Sequence, residues 1–80
     1  MSKITGMQLR MARTALKWRV DDLSKESGVG WARIQNMEKS NEPIDNDQIN
    51  DITKTLIKKG INFFDGDKET QPYIKVNKIV

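Results

Sequence analysis

The chain has no cysteine, so neither a disulfide nor a thiolate-held zinc can brace it. It has no histidine either, which removes the commonest general base, the commonest metal ligand and every Ser-His or Cys-His pair. No apolar run approaches the roughly 20 residues needed to cross a bilayer. The opening MSKITGMQLR lacks the apolar centre of a secretory leader. Together these absences predict a cytoplasmic protein that needs no cofactor or metal, and they weigh against an enzyme. Scattered Ser, Asp and Lys residues are all that a hydrolase would have to work with. No internal repeat, low-complexity tract or interdomain linker is legible.

What is present is one small domain's worth of sequence. Eighty residues, 36% of them hydrophobic, give a thin core; a chain this short buries only about 60% of its unfolded surface. The net charge of +3 is unevenly spread. Residues 1–40 carry eight Lys/Arg against four Asp/Glu, whereas residues 41–80 carry six against seven. Arg10, Arg13, Arg19 and Arg33 all lie in the first half. A basic half holding every arginine suits a polyanion-facing surface, although ordinary surface charge gives the same total.

Hydrophobic spacing predicts four short helices. Thr5 and Gln8 have capping-box spacing, and Leu9, Ala12 and Leu16 follow on one face, so a helix is expected over about 6–17. A second is expected over 20–27, with Val20 and Leu23 inward, Asp21 and Asp22 in its anion-favouring first turn, and Gly28 at its end. A third, over 31–39, turns Ile34 and Met37 inward. Residues 40–43 read as a loop. A fourth is expected to begin near Asp45–Asn46, with Ile49, Ile52 and Leu56 on one face and Gly60 at its C-terminal stop. Asp45, Asp47 and Asp51 lack the glycine and closing glutamate of a calcium loop, so they read as an acidic helix start. Two β-prone runs, 61–64 and 73–76, flank a polar segment and predict a hairpin, with a loose tail as the alternative.

Residues 20–39 form a unit of two helices and a glycine turn, the signature of a helix-turn-helix. Ser24 is small enough for a close helix crossing, Gly28 admits a positive φ, and Leu23, Val29, Ile34 and Met37 supply a shared apolar seam. With the flanking patterns LR-x-AR, L-x-x-x-SGV and I-x-x-M-E, residues 5–64 resemble the Cro/repressor-type (XRE-like) helix-turn-helix transcriptional regulators. The resemblance implies a mainly α, compact four-helix, lambda-repressor-like DNA-binding domain over 1–64. A C-terminal β-hairpin or extended tail over 65–80 would then be available for dimerisation. It also implies a partly buried bridge between Arg13 and Glu38, tying the first helix to the third.

One departure stands out. The family's second helix usually opens with a Ser or Thr cap and a Gln that holds a DNA phosphate; here Arg19 and Val20 stand there. Val20 can donate nothing, so Arg19 and Lys17 are expected to replace that contact, with Lys39 and Asn41 holding phosphates where the chain leaves the groove. The resemblance puts Trp31, Ala32, Gln35 and Asn36 at base-facing positions, with Arg33 reaching a guanine or a phosphate. Gln and Asn side chains match adenine N6/N7, and an alanine suits a thymine methyl. Trp18 reads as a core residue, since it follows the first helix where the family carries a large apolar residue, and the methionines Met7, Met11 and Met37 read as core or boundary filler.

The function implied is a sequence-specific double-stranded DNA-binding regulator, a repressor acting as a homodimer through its C-terminal segment, with the 31–39 helix in the major groove. Apolar Phe64, Tyr73, Ile74 and Val76 exceed what so small a core absorbs, which points to partner contact. Fold does not fix function. The modest charge, Val20 and an outward Trp31 keep open a protein–protein adaptor or antitoxin-like partner module on the same scaffold.

Overall fold

A computed structural model describes residues 4–77. Four helices come first: α1 (Gly6–Ala15), α2 (Val20–Ser27), α3 (Trp31–Glu38) and α4 (Ile49–Lys58). An antiparallel hairpin of β1 (Ile61–Phe64) and β2 (Tyr73–Val76) follows, with Ile61 opposite Val76 and Phe64 opposite Tyr73. The fold is therefore mainly α with a small C-terminal sheet, and the hairpin, not the loose tail, is what forms.

The core assembles from the apolar faces read in the sequence. Leu9 and Ala12 of α1, Leu23 of α2, Val29, Ile34 and Met37 around α3, and Ile49, Ile52 and Leu56 of α4 are all buried. Ile61 joins them from β1. Leu16, Trp18, Val20, Phe63 and Ile74 pack against this cluster while keeping part of their surface in water. Trp18 is thus a boundary residue and not the core residue expected, because it packs on the outside of the buried cluster, with the Lys59 ammonium 5.9 Å from its ring centroid. Met37 is buried, Met11 half-buried and Met7 exposed.

α1 starts on the expected capping box. Gln8 N–H donates to Thr5 Oγ1 at 3.1 Å, and Gln8 Oε1 accepts from Thr5 N–H at 2.9 Å. The same side chain then reaches the hairpin: Gln8 Nε2 donates to Phe64 O at 2.8 Å and to Tyr73 O at 3.0 Å. The helix ends at Ala15, not 17, because Lys17 turns left-handed with φ 60°. Trp18 N–H bonds back to Arg13 O and Lys17 N–H to Thr14 O, the paired bonds of a Schellman stop.

α3 ends at Glu38, one residue earlier than expected. α4 starts at Ile49, not at 45–46. The reason is local. The chain after α3 is drawn into an extended bridge, Thr5 opposite Pro43, with Ile44 N–H donating to Ile4 O at 2.8 Å. Residues 46–48 then form a turn, in which Asn46 Oδ1 accepts from Gln48 N–H at 2.8 Å. Asp45 and Asp47 lie ahead of the helix, and only Asp51 sits in its first turn. Ile4 and Ile44 are carried into the core by this tie.

The hairpin loop has its own lock. Asp67 Oδ1 accepts from the N–H groups of Glu69 and Thr70 at 2.9 and 2.8 Å. Those donors hold the Asp67 carboxyl below its ordinary range. Ile74 packs against the core with part of its surface in water, whereas Phe64 and Tyr73 stack on each other at 5.0 Å and Val76 stays 50% exposed. No helix among the described residues is long and apolar enough to cross a membrane.

Candidate nucleic-acid interface

α2 and α3 meet at a turn fixed by three side-chain bonds. Ser24 Oγ donates to Val29 O at 2.7 Å, Ser27 Oγ donates to Leu23 O at 2.7 Å, and Ser27 Oγ accepts from Val29 N–H at 3.2 Å. Gly28 takes φ 77°, which a side chain would resist. Ser24 therefore does more than stay small: it bonds across the turn.

With Ile34 and Met37 buried, the 3.6-residue period fixes what α3 shows outward. Ala32, Gln35, Asn36 and Lys39 fall within an arc of about 100° opposite the buried seam. Trp31 and Arg33 flank that arc on either side. Trp31, Ala32, Arg33, Asn36 and Lys39 are exposed and Gln35 is half-exposed. Gln35 and Asn36 make no side-chain hydrogen bond with a described residue, so their amides are uncommitted. Trp31 is 47% exposed, a large apolar surface left outside the core.

The Arg13–Glu38 bridge is present and two-pronged. Arg13 Nε donates to Glu38 Oε2 at 2.7 Å and Arg13 Nη2 to Glu38 Oε1 at 2.8 Å. The third prong, Nη1, donates to Trp18 O at 2.8 Å. One guanidinium thus ties the end of α1, the start of the α1–α2 link and the end of α3. Bonding to Glu38 raises the Arg13 pKa further above its ordinary value, against the opposing effect of burial.

The expected phosphate holders sit at the periphery of this helix pair. Lys17, Arg19, Lys39 and Asn41 are all exposed. Arg10, Lys17, Arg19, Arg33 and Lys39 form no ion pair with any described residue. Arg19 occupies the N-cap of α2, where a Ser or Thr would normally accept from the helix. The cap is instead closed from the other side, by Asp22 Oδ2 accepting from Arg19 N–H at 2.8 Å. The Arg19 side chain makes no hydrogen bond or ion pair with a described residue.

A shallow hollow of about 380 Å³ opens beside this group. Arg10, Gln35, Lys39 and Asn41 line it, over a base formed by Val20 and the Arg13–Glu38 pair. Arg10 did not emerge from the sequence as a site residue. Its signal was the i, i+3 spacing to Arg13, which puts both on one face of α1. A second hollow, of about 310 Å³, lies on the other side of α3 between Arg33, Asn36 and the 43–46 segment.

No protein-family model matches this chain, and no curated protein or solved structure matches it.

Proposed function

We propose that this protein is a sequence-specific double-stranded DNA-binding regulator of the helix-turn-helix type, of lambda-repressor-like fold, which reads the major groove with α3. The observation that carries the reading is the outward face of α3: two amides, Gln35 and Asn36, with no side-chain bond to a described residue, on one short helix with Ala32 and with Lys39 at its C-cap, ringed by cations that form no ion pair with a described residue. In this reading Gln35 and Asn36 bond base edges, Ala32 meets a thymine methyl, and Trp31 and Arg33 contact the flanking bases. Lys17, Arg19, Lys39 and Asn41 hold backbone phosphates and set the register.

One module of this kind covers only about 600–1,000 Å² of surface, too little for strong specificity. A homodimer on half-sites about 34 Å apart supplies the rest. The chain's shortest extent of 19 Å leaves room for two copies side by side at that spacing. With this architecture the protein would act as a repressor by occluding its site.

Selection of binding sites from random duplexes tests the reading, followed by titration across salt. A conserved half-site should emerge, and affinity should fall linearly with log salt at about −0.9 per phosphate held. Asn36→Ala should relax preference at one base position and cost about 1–3 kcal/mol on the selected site. Arg19→Ala should weaken all duplexes alike and lower the salt slope by about one. The exposed Trp31 favours a second reading, a protein–protein adaptor. Absence of any enriched sequence together with a flat salt response would establish that one instead.

A further inference from the structure

The N-terminus of α2 is a poor place for a phosphate in this chain. Its cap is closed by the Asp22 carboxylate, and Asp21 adds a second negative charge in the first turn. Val20, the first helical residue, has no donor. An anion arriving there meets two carboxylates before it meets the helix amides.

A few residues away the electrostatics reverse. Val20 lines the hollow that Arg10, Gln35, Lys39 and Asn41 surround. Arg13 and Glu38 neutralise each other at its base, with side chains only 16% and 9% exposed. That leaves two unpaired cations, Arg10 and Lys39, and two side-chain amides facing one concavity. Arg10 comes from α1, one turn before Arg13, and Lys39 from the C-cap just past α3, so two parts of the chain converge on it.

We infer that this hollow seats a single backbone phosphate of the duplex, with Arg10 and Lys39 as its two charged ligands and Asn41 as a neutral donor. The inference rests on the DNA-binding reading and names a residue, Arg10, outside the surface of α2 and α3. The seat lies beside Gln35, so a phosphate held there fixes how far α3 sinks into the groove. A guanidinium can donate to one of the two non-bridging oxygens of a backbone phosphodiester while an ammonium donates to the other, so the two need not compete for the same oxygen. The pairing is thus a positioning device: it carries no sequence information and acts on every duplex alike.

The test is the salt dependence of binding to a random-sequence 30-base-pair duplex, which needs no knowledge of the preferred site. The proteins compared are wild type, Arg10→Gln, Lys39→Gln and the double variant. Each phosphate held costs about 3.5-fold in affinity for a fourfold rise in salt, from the slope of about −0.9. Arg10→Gln should remove one such increment, and so should Lys39→Gln. The double variant should remove no more than either single change, because the phosphate is seated only with both cations in place and the loss of either empties the seat. Arg10 is exposed and has no ion-pair partner among the described residues, so thermal melting of Arg10→Gln should match wild type. An unchanged slope for Arg10→Gln overturns the seat. Two increments lost in the double variant also overturn it, placing the cations on separate phosphates. If wild type itself binds no duplex, the functional reading fails rather than the placement of Arg10. If Arg19→Ala and Asn36→Ala still weaken binding while Arg10→Gln does not, the functional reading stands and the seat falls.

Discussion

Gln8 is the residue whose replacement should cost the fold most for its size. It is 2% exposed and makes four hydrogen bonds: two close the cap of α1 and two reach carbonyls of the hairpin. In Gln8→Ala the backbone N–H of Gln8 keeps its bond to Thr5, but the buried Thr5 N–H loses its acceptor. An orphaned buried donor costs about 1–3 kcal/mol. Counting in pairs from the bond between Asn77 N–H and Gly60 O, Phe64 and Tyr73 form a hydrogen-bonded pair of the ladder. Their carbonyls therefore keep one partner, and each lost side-chain bond costs only about 1 kcal/mol. The total is about 3–5 kcal/mol, against about 4–12 kcal/mol of stability for a chain of this length. Urea unfolding followed by circular dichroism should show that loss, and the melting temperature should fall by about 15–25 °C. Amide exchange should show Asn62 and Lys75 of the hairpin losing protection. A loss below about 1 kcal/mol would refute the assignment.

Gln8→Glu sharpens the same argument. The carboxylate still accepts from Thr5 N–H, but it brings lone pairs where Phe64 O and Tyr73 O need donors. Burial and those carbonyls raise the folded-state pKa of such a glutamate above the unfolded value of about 4.3. The folded state then binds the proton more tightly than the unfolded one, so the penalty is full above the raised pKa and is relieved as pH falls through it. The variant should be at least as unstable as Gln8→Ala at pH 7 and should recover towards wild type on acidification.

Lys17→Gly should stabilise the protein by about 1 kcal/mol in chemical denaturation, since a lysine at φ 60° pays a left-handed penalty that glycine escapes; if Lys17 holds a phosphate, the same change should weaken duplex binding. Gly6→Ala should destabilise by about 1–3 kcal/mol despite the better helix former, because the added Cβ would drive into the Met37 and Ser40 carbonyl oxygens; a gain on melting would contradict the close approach of α1 to the end of α3. Arg13→Met should cost about 3 kcal/mol by leaving Glu38 half-buried and unpaired, whereas Arg13→Met with Glu38→Leu should recover most of that loss in the same urea titration.

Local signals made the helical part of this fold legible. The Thr5–Gln8 spacing announced a capping box, and Gly28 announced a turn. The Leu23, Val29, Ile34 and Met37 seam fixed which side of α3 turns inward, and with it which residues face out. What stayed hidden depends on residues far apart in the chain. Nothing near Gln8 signals that its amide bonds carbonyls 56 and 65 residues away. Nothing in Lys17 signals a left-handed backbone, since glycine or asparagine is the usual mark. The late start of α4 follows from Ile4 pairing with Ile44, a tie between two segments that look like loops. The hollow around Arg10 escaped for the same reason, because α1, α2 and α3 each supply part of it.

These hidden contacts converge on α1. Gly6 lets its start press against the end of α3, Arg13 ties its end to Glu38, and Gln8 latches the hairpin to the face between them. α3 therefore owes its angle to α1 as well as to the short turn that joins it to α2. The hairpin and the outward face of α3 share that one helix as their reference. A contact that grips Phe64, Tyr73 and Val76, such as a second copy of the chain, would grip α3 through ten residues of helix and two sets of short hydrogen bonds. Rigidity along that route would hold two copies of α3 at a fixed spacing in such an assembly.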